Sequence, residues 1–282
     1  MDNVIKVRVN YYQHFDADYA RDVPEEGFGG WKNAVLDFAA GHTALVVMHA
    51  WDAGTRDEFP GWHRAVPYIP RADRICREVF PPLLKAARAS VLPVFHVVGG
   101  GDYYKHLAGY QHAVELAGPE PPPCEKVQED PVREKLTQFR SEKTFPGAHN
   151  AADIDRGFAR LDFPPEARPL DTEGVAENGR QLFALCKEKG VNHLIYAGFA
   201  INWCLLLSPG GMAEMQQYGV MCSTLRQATT AVENGASARF ELCKEIALWR
   251  VSLAFGFVLD VDDFIAALKT VPLGTPISDW HP

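Results

Sequence analysis

Gly190-Val191-Asn192-His193-Leu194-Ile195-Tyr196-Ala197-Gly198-Phe199-Ala200-Ile201-Asn202-Trp203-Cys204 is the stretch on which the fold turns. Residues 193–197 form a short apolar run of the kind a sheet buries on both faces. Before it, Glu177 to Lys189 has helical spacing, closed by Gly190 at a C-terminal cap position. After it, Gly198 opens a turn that carries Cys204. Helix, buried strand and turn in this order predict one unit of a parallel sheet.

The same pattern recurs on both sides. Upstream, Ala44-Leu45-Val46-Val47-Met48 reads as a second buried strand. From Ala72 to Ala89, Ile75, Val79, Leu83, Leu84 and Ala87 share one helical face, and Pro81-Pro82 is expected to bend or split that helix. Leu92 to Val98 is a strand ending in Gly99-Gly100-Gly101. Downstream come a helix at Met212 to Tyr218, a strand at Val220 to Leu225, and a long helix at Ala231 to Trp249. Phe257-Val258-Leu259 is a short strand, and Val261 to Leu268 the last helix. The expectation is an α/β chain, Rossmann-like, with a mostly parallel sheet of about six strands covered on both faces. Ala44–Met48 and His193–Ala197 should be central neighbours, with ligands at the carboxyl ends of the strands.

Two segments fit this rhythm less well. Residues 1–40 hold an alternating stretch, Val4 to Val9, then a Gly/Asp/Pro-rich part, and read as an N-terminal arm. The main domain is then 41–282. Residues 113–172, with Pro119 to Cys124 and a charged run, read as a long excursion serving as a lid or an oligomer contact.

Composition narrows the function. The chain has 282 residues, 47% hydrophobic, 23% charged, with a net charge of -8. That balance argues against nucleic acid as a partner. No apolar run is long enough to cross a membrane, and Met1 to Asn10 lacks a signal-peptide pattern, so the expected location is cytoplasmic. Cys76, Cys124, Cys186, Cys204, Cys222 and Cys243 form no CxxC pair and read as free thiols of a reducing compartment.

Cys204 is the leading candidate for chemistry. Backbone N–H groups converge at a strand-to-helix turn, where they lower a thiol pKa and hold an oxyanion. A buried, inert cysteine is the competing reading. His49 ends the first strand and suits a base, a ligand or a plain loop residue; Asp52 follows three residues on. Lys143, in Arg140-Ser141-Glu142-Lys143-Thr144-Phe145-Pro146-Gly147, is by itself an ordinary surface charge. His96, Asp102, His106 and His112 are candidate metal ligands without a tight spacing, and no metal or cofactor is assigned. Gly99-Gly100-Gly101 lacks a dinucleotide fingerprint and reads as a tight turn. Trp51, Tyr103, Tyr104 and Trp203 in the loops suggest a flat or apolar group in the pocket.

Taken together, these features resemble the isochorismatase-like cysteine hydrolases, the family of the nicotinamidase-related amidohydrolases. The 190–204 stretch is similar to the family's nucleophile segment, Lys143 with Pro146-Gly147-Ala148 to its lysine segment, and Pro82 to Val98 to its second strand. Ala247 to Leu268 resembles its closing helix, strand and helix. The resemblance, over about Thr43 to Leu268, implies a three-layer sandwich, usually a homo-oligomer, acting on a small-molecule substrate. It implies an aspartate, a lysine and a cysteine that hydrolyse a C–N bond of a small amide. Cys204 is then the nucleophile and Lys143 the lysine. The backbone N–H groups of Ala200 and Cys204 form the oxyanion hole, and a cis peptide falls at Phe199–Ala200. The chain departs from the family at the aspartate, whose slot holds His49; an imidazole can take a thiol proton instead. Trp51, Asp52, Tyr103 and Trp203 are the expected pocket residues. Two alternatives stand beside the hydrolase. One is an inactive relative that binds a small molecule or partner in the same pocket; the other uses chemistry without the cysteine, such as vinyl-ether cleavage.

Overall fold

A computed structural model describes residues 4–271 and 273. Its strands are β1 (Val4–Gln13), β2 (Gly30–Ala39), β3 (Thr43–Met48), β4 (Val94–Val97), β5 (Gly174–Ala176), β6 (His193–Gly198), β7 (Met221–Thr229) and β8 (Val258–Leu259). Its helices are α1 (Pro60–Ala65), α2 (Ile69–Glu78), α3 (Phe80–Arg88), α4 (Ala108–Ala117) and α5 (Pro131–Lys143). They continue with α6 (Ala148–Phe158), α7 (Gly179–Lys189), α8 (Met212–Gln217), α9 (Leu242–Ala254) and α10 (Val261–Leu268).

All eight strands form one sheet in the order β2-β1-β8-β7-β6-β3-β4-β5. Strands β3 to β8 pair in parallel, and β1 is antiparallel to both β2 and β8. The expected parallel set of six is thus present, with two more strands added at one edge. Those two come from the segment read as an arm. Ile5, Val7 and Val9 are fully buried while Val4, Lys6 and Arg8 face out, so the alternation in Val4 to Val9 is a half-buried strand paired along its length.

Helices cover both faces. On one, Phe80, Leu83 and Leu84 of α3 and Phe264 and Leu268 of α10 pack on Leu45, Val47, Ile195 and Ala197. On the other, Leu182 and Leu185 of α7, Met212 and Met215 of α8 and Leu248 of α9 pack on Val46, Met48, Leu194 and Tyr196. Successive strand residues point to opposite faces, so β3 and β6 feed both cores; each such side chain fully buried contributes roughly 1.5–3 kcal/mol.

One boundary and one strand differ from the sequence reading. The long helix expected from Ala231 begins only at Leu242. The Glu233 carboxylate accepts the Cys243 and Lys244 N–H groups at 3.0 and 3.0 Å, and the Asn234 side chain accepts those of Ala236 and Ser237. These local bonds compete with helix and hold residues 231–237 as a loop. The edge strand β5, three residues long with Gly174 in it, carries too little pattern to read. Pro81-Pro82 falls in the first turn of α3, and the helical span splits there into α2 and α3.

Within the excursion, α6 docks on α1 through Asp153 accepting the Gly61 N–H (2.6 Å) and Asn150 accepting from Arg64 (3.1 Å). Helix α5 has no buried residue, and its Val132, Leu136 and Phe139, spaced four and three apart, stay 65%, 65% and 63% exposed.

Candidate functional site

The carboxyl ends of β3 and β6 meet. Met48 pairs with Gly198, and the Phe199 N–H donates to the Met48 carbonyl at 3.1 Å. Gly198 has φ 129°, and a Cβ there would collide with Met48 O; only glycine allows this approach. The Phe199–Ala200 peptide is cis. The chain then makes a π turn, Ile201–Leu205, whose Trp203 and Leu205 N–H groups both donate to Ala200 O at 3.2 Å. Cys204, half-buried, lies in this turn.

The turn is fixed from outside. The Ile201 N–H donates to Thr230 O at 2.8 Å. Asn202 exchanges two hydrogen bonds of 2.8 Å with the Val232 backbone. Ala200 is 0% exposed, and its N–H makes no hydrogen bond among the described residues. A buried N–H without an acceptor is uncommon and calls for an explanation. The hydroxyl of Thr230, whose carbonyl fixes the turn, is likewise buried and unpartnered among the described residues.

His49 follows β3 with φ 51°, a left-handed conformation uncommon outside glycine. Its backbone N–H donates to Val97 O at 2.9 Å. The ring leans toward β4: it stacks on Trp51 (4.8 Å, 17°), and Nε2 lies beside Gly99. Desolvation pushes its pKa down to about 4, with the Val98 backbone opposing. Among the described residues Nδ1 is buried without a hydrogen-bond partner.

Trp51 donates to the Tyr103 hydroxyl at 3.0 Å, which joins two of the expected pocket residues. Both sit near a cleft of about 640 Å³ bordered by Tyr103, His106, Phe158, Arg160, Asp162 and Arg168. That cleft lies at the end of β4 and Cys204 is not on its border. Asp52 is turned away from the strand ends: its carboxylate accepts the Gly54 N–H at 2.9 Å and pairs with Arg160 at 3.3 Å. Trp203 is 60% exposed. Lys143 ends α5, exposed and without an ion pair among the described residues. Of the candidate metal ligands, His96 pairs with Glu173 (2.9 Å), His112 with Glu188 (2.7 Å) and Asp102 with Lys105 (2.6 Å). Among the described residues no group of three such side chains gathers to hold a metal.

Tyr68 is the residue the sequence did not suggest. Burial, and next the charge of Cys204, raise its phenol far above the usual tyrosine value, so it is a neutral donor near the sulfur. It stands just before α2, where the Arg71 N–H bonds to its carbonyl and the Arg71 Nε pairs with Glu241 at 3.3 Å. A single tyrosine between two X-Pro pairs carries no sequence signal for such a role.

No family model matches the chain, and no curated protein does. Solved structures do. A cysteine hydrolase from Pseudomonas syringae pv. phaseolicola superposes with a TM-score of 0.50 at 14% identity, over 83% of this chain and 95% of that one. An isochorismatase family protein from Burkholderia thailandensis is similar at TM-score 0.48 and 16% identity, over 81% and 96%. N-carbamoylsarcosine amidase from Thermoplasma acidophilum is similar at TM-score 0.41 and 14% identity, over 78% and 97%. The chain has the isochorismatase-like α/β fold.

Proposed function

We propose that the chain is a cysteine-dependent hydrolase of a C–N bond in a small amide or related compound, with Cys204 as nucleophile. The observation that carries this reading is the buried Ala200 N–H, without an acceptor among the described residues, in the turn that holds Cys204 at the end of a central strand. In this reading that donor and the N–H of Cys204 form the oxyanion hole. The thiol sulfur attacks the carbonyl carbon as its proton passes to a base. The C–N bond then breaks, the amine leaves with that proton, and water hydrolyses the thioester to return acid and thiol.

In this reading His49 is the base, receiving the proton at Nδ1. Its ring is neutral above about pH 4, which leaves a lone pair available for the thiol proton. Lys143 supplies positive charge near the sulfur, which from the end of an exposed helix requires α5 to close over the site. Trp51, Tyr103 and Trp203 line the substrate side, whereas Asp52 is held by Gly54 and Arg160. The exposed stripe of α5 is a natural contact for a homo-oligomer, which sedimentation would detect. All six cysteines are free, which suits the reducing cytoplasm; no described helix is long and apolar enough to cross a membrane.

The test is iodoacetamide labelling across pH with peptide mapping. Cys204 is expected to react selectively well below the ordinary thiol pKa of about 8.5. A second reading, an inactive relative that binds a small molecule in the same pocket, is favoured by His49 in the aspartate slot and by the exposed Lys143. Labelling of Cys204 no faster than a free thiol, with no turnover in a broad amide screen, would establish it over the first.

A further inference from the structure

The amino ends of the same strands carry a second cleft, of about 440 Å³, bordered by Phe38, Thr43, Asn192, His193, Met221 and Phe257. It lies the length of β6 away from the Cys204 turn, roughly 17 Å for five steps of about 3.3 Å. His193 is the first residue of β6 and is 8% exposed.

Its ring is held in one protonation pattern. Nε2 is 2.8 Å from Ser223 Oγ, and that oxygen already accepts the Phe257 N–H at 2.9 Å. Ser223 is fully buried and its hydroxyl has no other acceptor among the described residues. A buried hydroxyl is satisfied where a partner is in reach, so the O–H donates to Nε2. Burial keeps the ring neutral, its pKa pushed down to about 4. The one ring proton is therefore on Nδ1. Nδ1 makes no hydrogen bond among the described residues, yet it is not sealed in the core. His193 borders the cleft, and its Nδ1–H has no acceptor among the described residues.

The surroundings limit what can take that proton. Phe38 stands edge-on to the His193 ring at 4.8 Å, and Phe38 and Phe257 lie 6.3 Å apart, so the walls beside the donor are flat and apolar. The cleft's one acidic neighbour, Asp37, is tied to Lys6 at 3.0 Å. A neutral ring and a nearby carboxylate disfavour an anionic ligand; a carbonyl oxygen fits the donor.

We propose that this cleft is a binding site for an uncharged, flat molecule with a carbonyl-type acceptor, held by the Nδ1–H of His193 and packed against Phe38 and Phe257. The site is separate from the one proposed at Cys204 and stands whether or not that one hydrolyses amides.

The experiment uses the full chain with ¹⁵N-labelled histidine and acetophenone, a flat ketone with no C–N bond to cleave. Ligand-free spectra at pH 7 should place the His193 proton on Nδ1. Acetophenone should then shift the Nδ1–H signal saturably, equally in wild type and in Cys204→Ser. Ethylbenzene, alike in shape but without the acceptor, should bind about tenfold more weakly, the worth of one hydrogen bond. Asn192→Trp, an exposed rim position, should fill the cleft and abolish the response. The proposal is overturned by a proton found on Nε2, by equal binding of the hydrocarbon, by no saturable shift up to the solubility limit, or by a response that survives in a folded Asn192→Trp. Should that variant not fold, the tautomer and the ketone–hydrocarbon pair decide the question on the wild type.

Discussion

His49 and His193 stand at opposite ends of the two central strands, and burial pushes both down to about 4. Their charge state is the same, and their chemistry is opposite. In the proposed reading Nδ1 of His49, buried and without a hydrogen-bond partner among the described residues, presents a lone pair. A serine holds Nε2 of His193, so it presents a proton. Desolvation sets whether a buried histidine is charged; its first hydrogen-bond partner sets whether it is an acceptor or a donor.

The largest expected effect separates the two rings by function. On any amide that the wild type cleaves, His49→Ala should lower turnover by roughly 10² to 10⁴, the range for losing a general base. His49→Asp should keep or raise it. His193→Asn should leave turnover unchanged. Equal losses at both positions, measured as kcat/KM in folded protein, would sink the assignment of the base to one end of the sheet.

The next effect unites the two rings. Both folded pKa values lie below the ordinary 6.5, so as pH falls the unfolded chain takes up these protons first. Their contribution to stability is full above about 6.5 and is lost between 6.5 and 4. A drop of that size corresponds to about 3 kcal/mol for each ring. Urea midpoints followed from pH 7.5 to 4.5 should fall steeply in wild type and less steeply in His49→Asn and in His193→Asn. A single variant that leaves the acid slope unchanged would show that its ring is not held neutral.

These two positions also mark what the sequence could reveal. The apolar runs Ala44–Met48 and His193–Ala197 are buried on both faces, and their short stretches between turn signals made the central strands and the Cys204 turn legible. The alternation Val4 to Val9 was visible, but its partner strand Gly30–Ala39 is interrupted by polar residues, and pairing over so long a loop has no local signal. His49 was legible as a strand-end polar residue. Its ring orientation was not, because that depends on Trp51 and Gly99 arriving from other segments. Tyr68 and the pairing of His193 with Ser223, thirty residues apart, are products of packing alone.

A smaller effect tests the serine that distinguishes the rings. Ser223→Ala leaves the Phe257 N–H and His193 Nε2 without their partner, and should cost about 1–3 kcal/mol by chemical denaturation. It should also release the ring into a mixture of tautomers, moving His193 toward the unconstrained behaviour that a partnerless ring has. A stable variant that keeps its proton on Nδ1 would mean that the serine does not set the tautomer.

The smallest expected effect on stability is at Lys143, and for that reason it is the cleanest probe of chemistry. The side chain is exposed, ends a helix with no buried residue, and makes no ion pair among the described residues. Lys143→Gln keeps the length of the side chain and removes its charge, so the thermal midpoint should move by the equivalent of no more than about 0.5 kcal/mol. If α5 closes over Cys204 during the reaction, turnover should fall while stability stays put. The pH at which Cys204 alkylates should also rise, because a cation no longer supports the thiolate. If turnover and the alkylation profile both match wild type, Lys143 is a surface charge and the thiol relies on the backbone donors of its own turn, with His49 to take the proton. His49→Ala would then carry the whole acid–base contribution, and its loss should reach the upper part of the range given above.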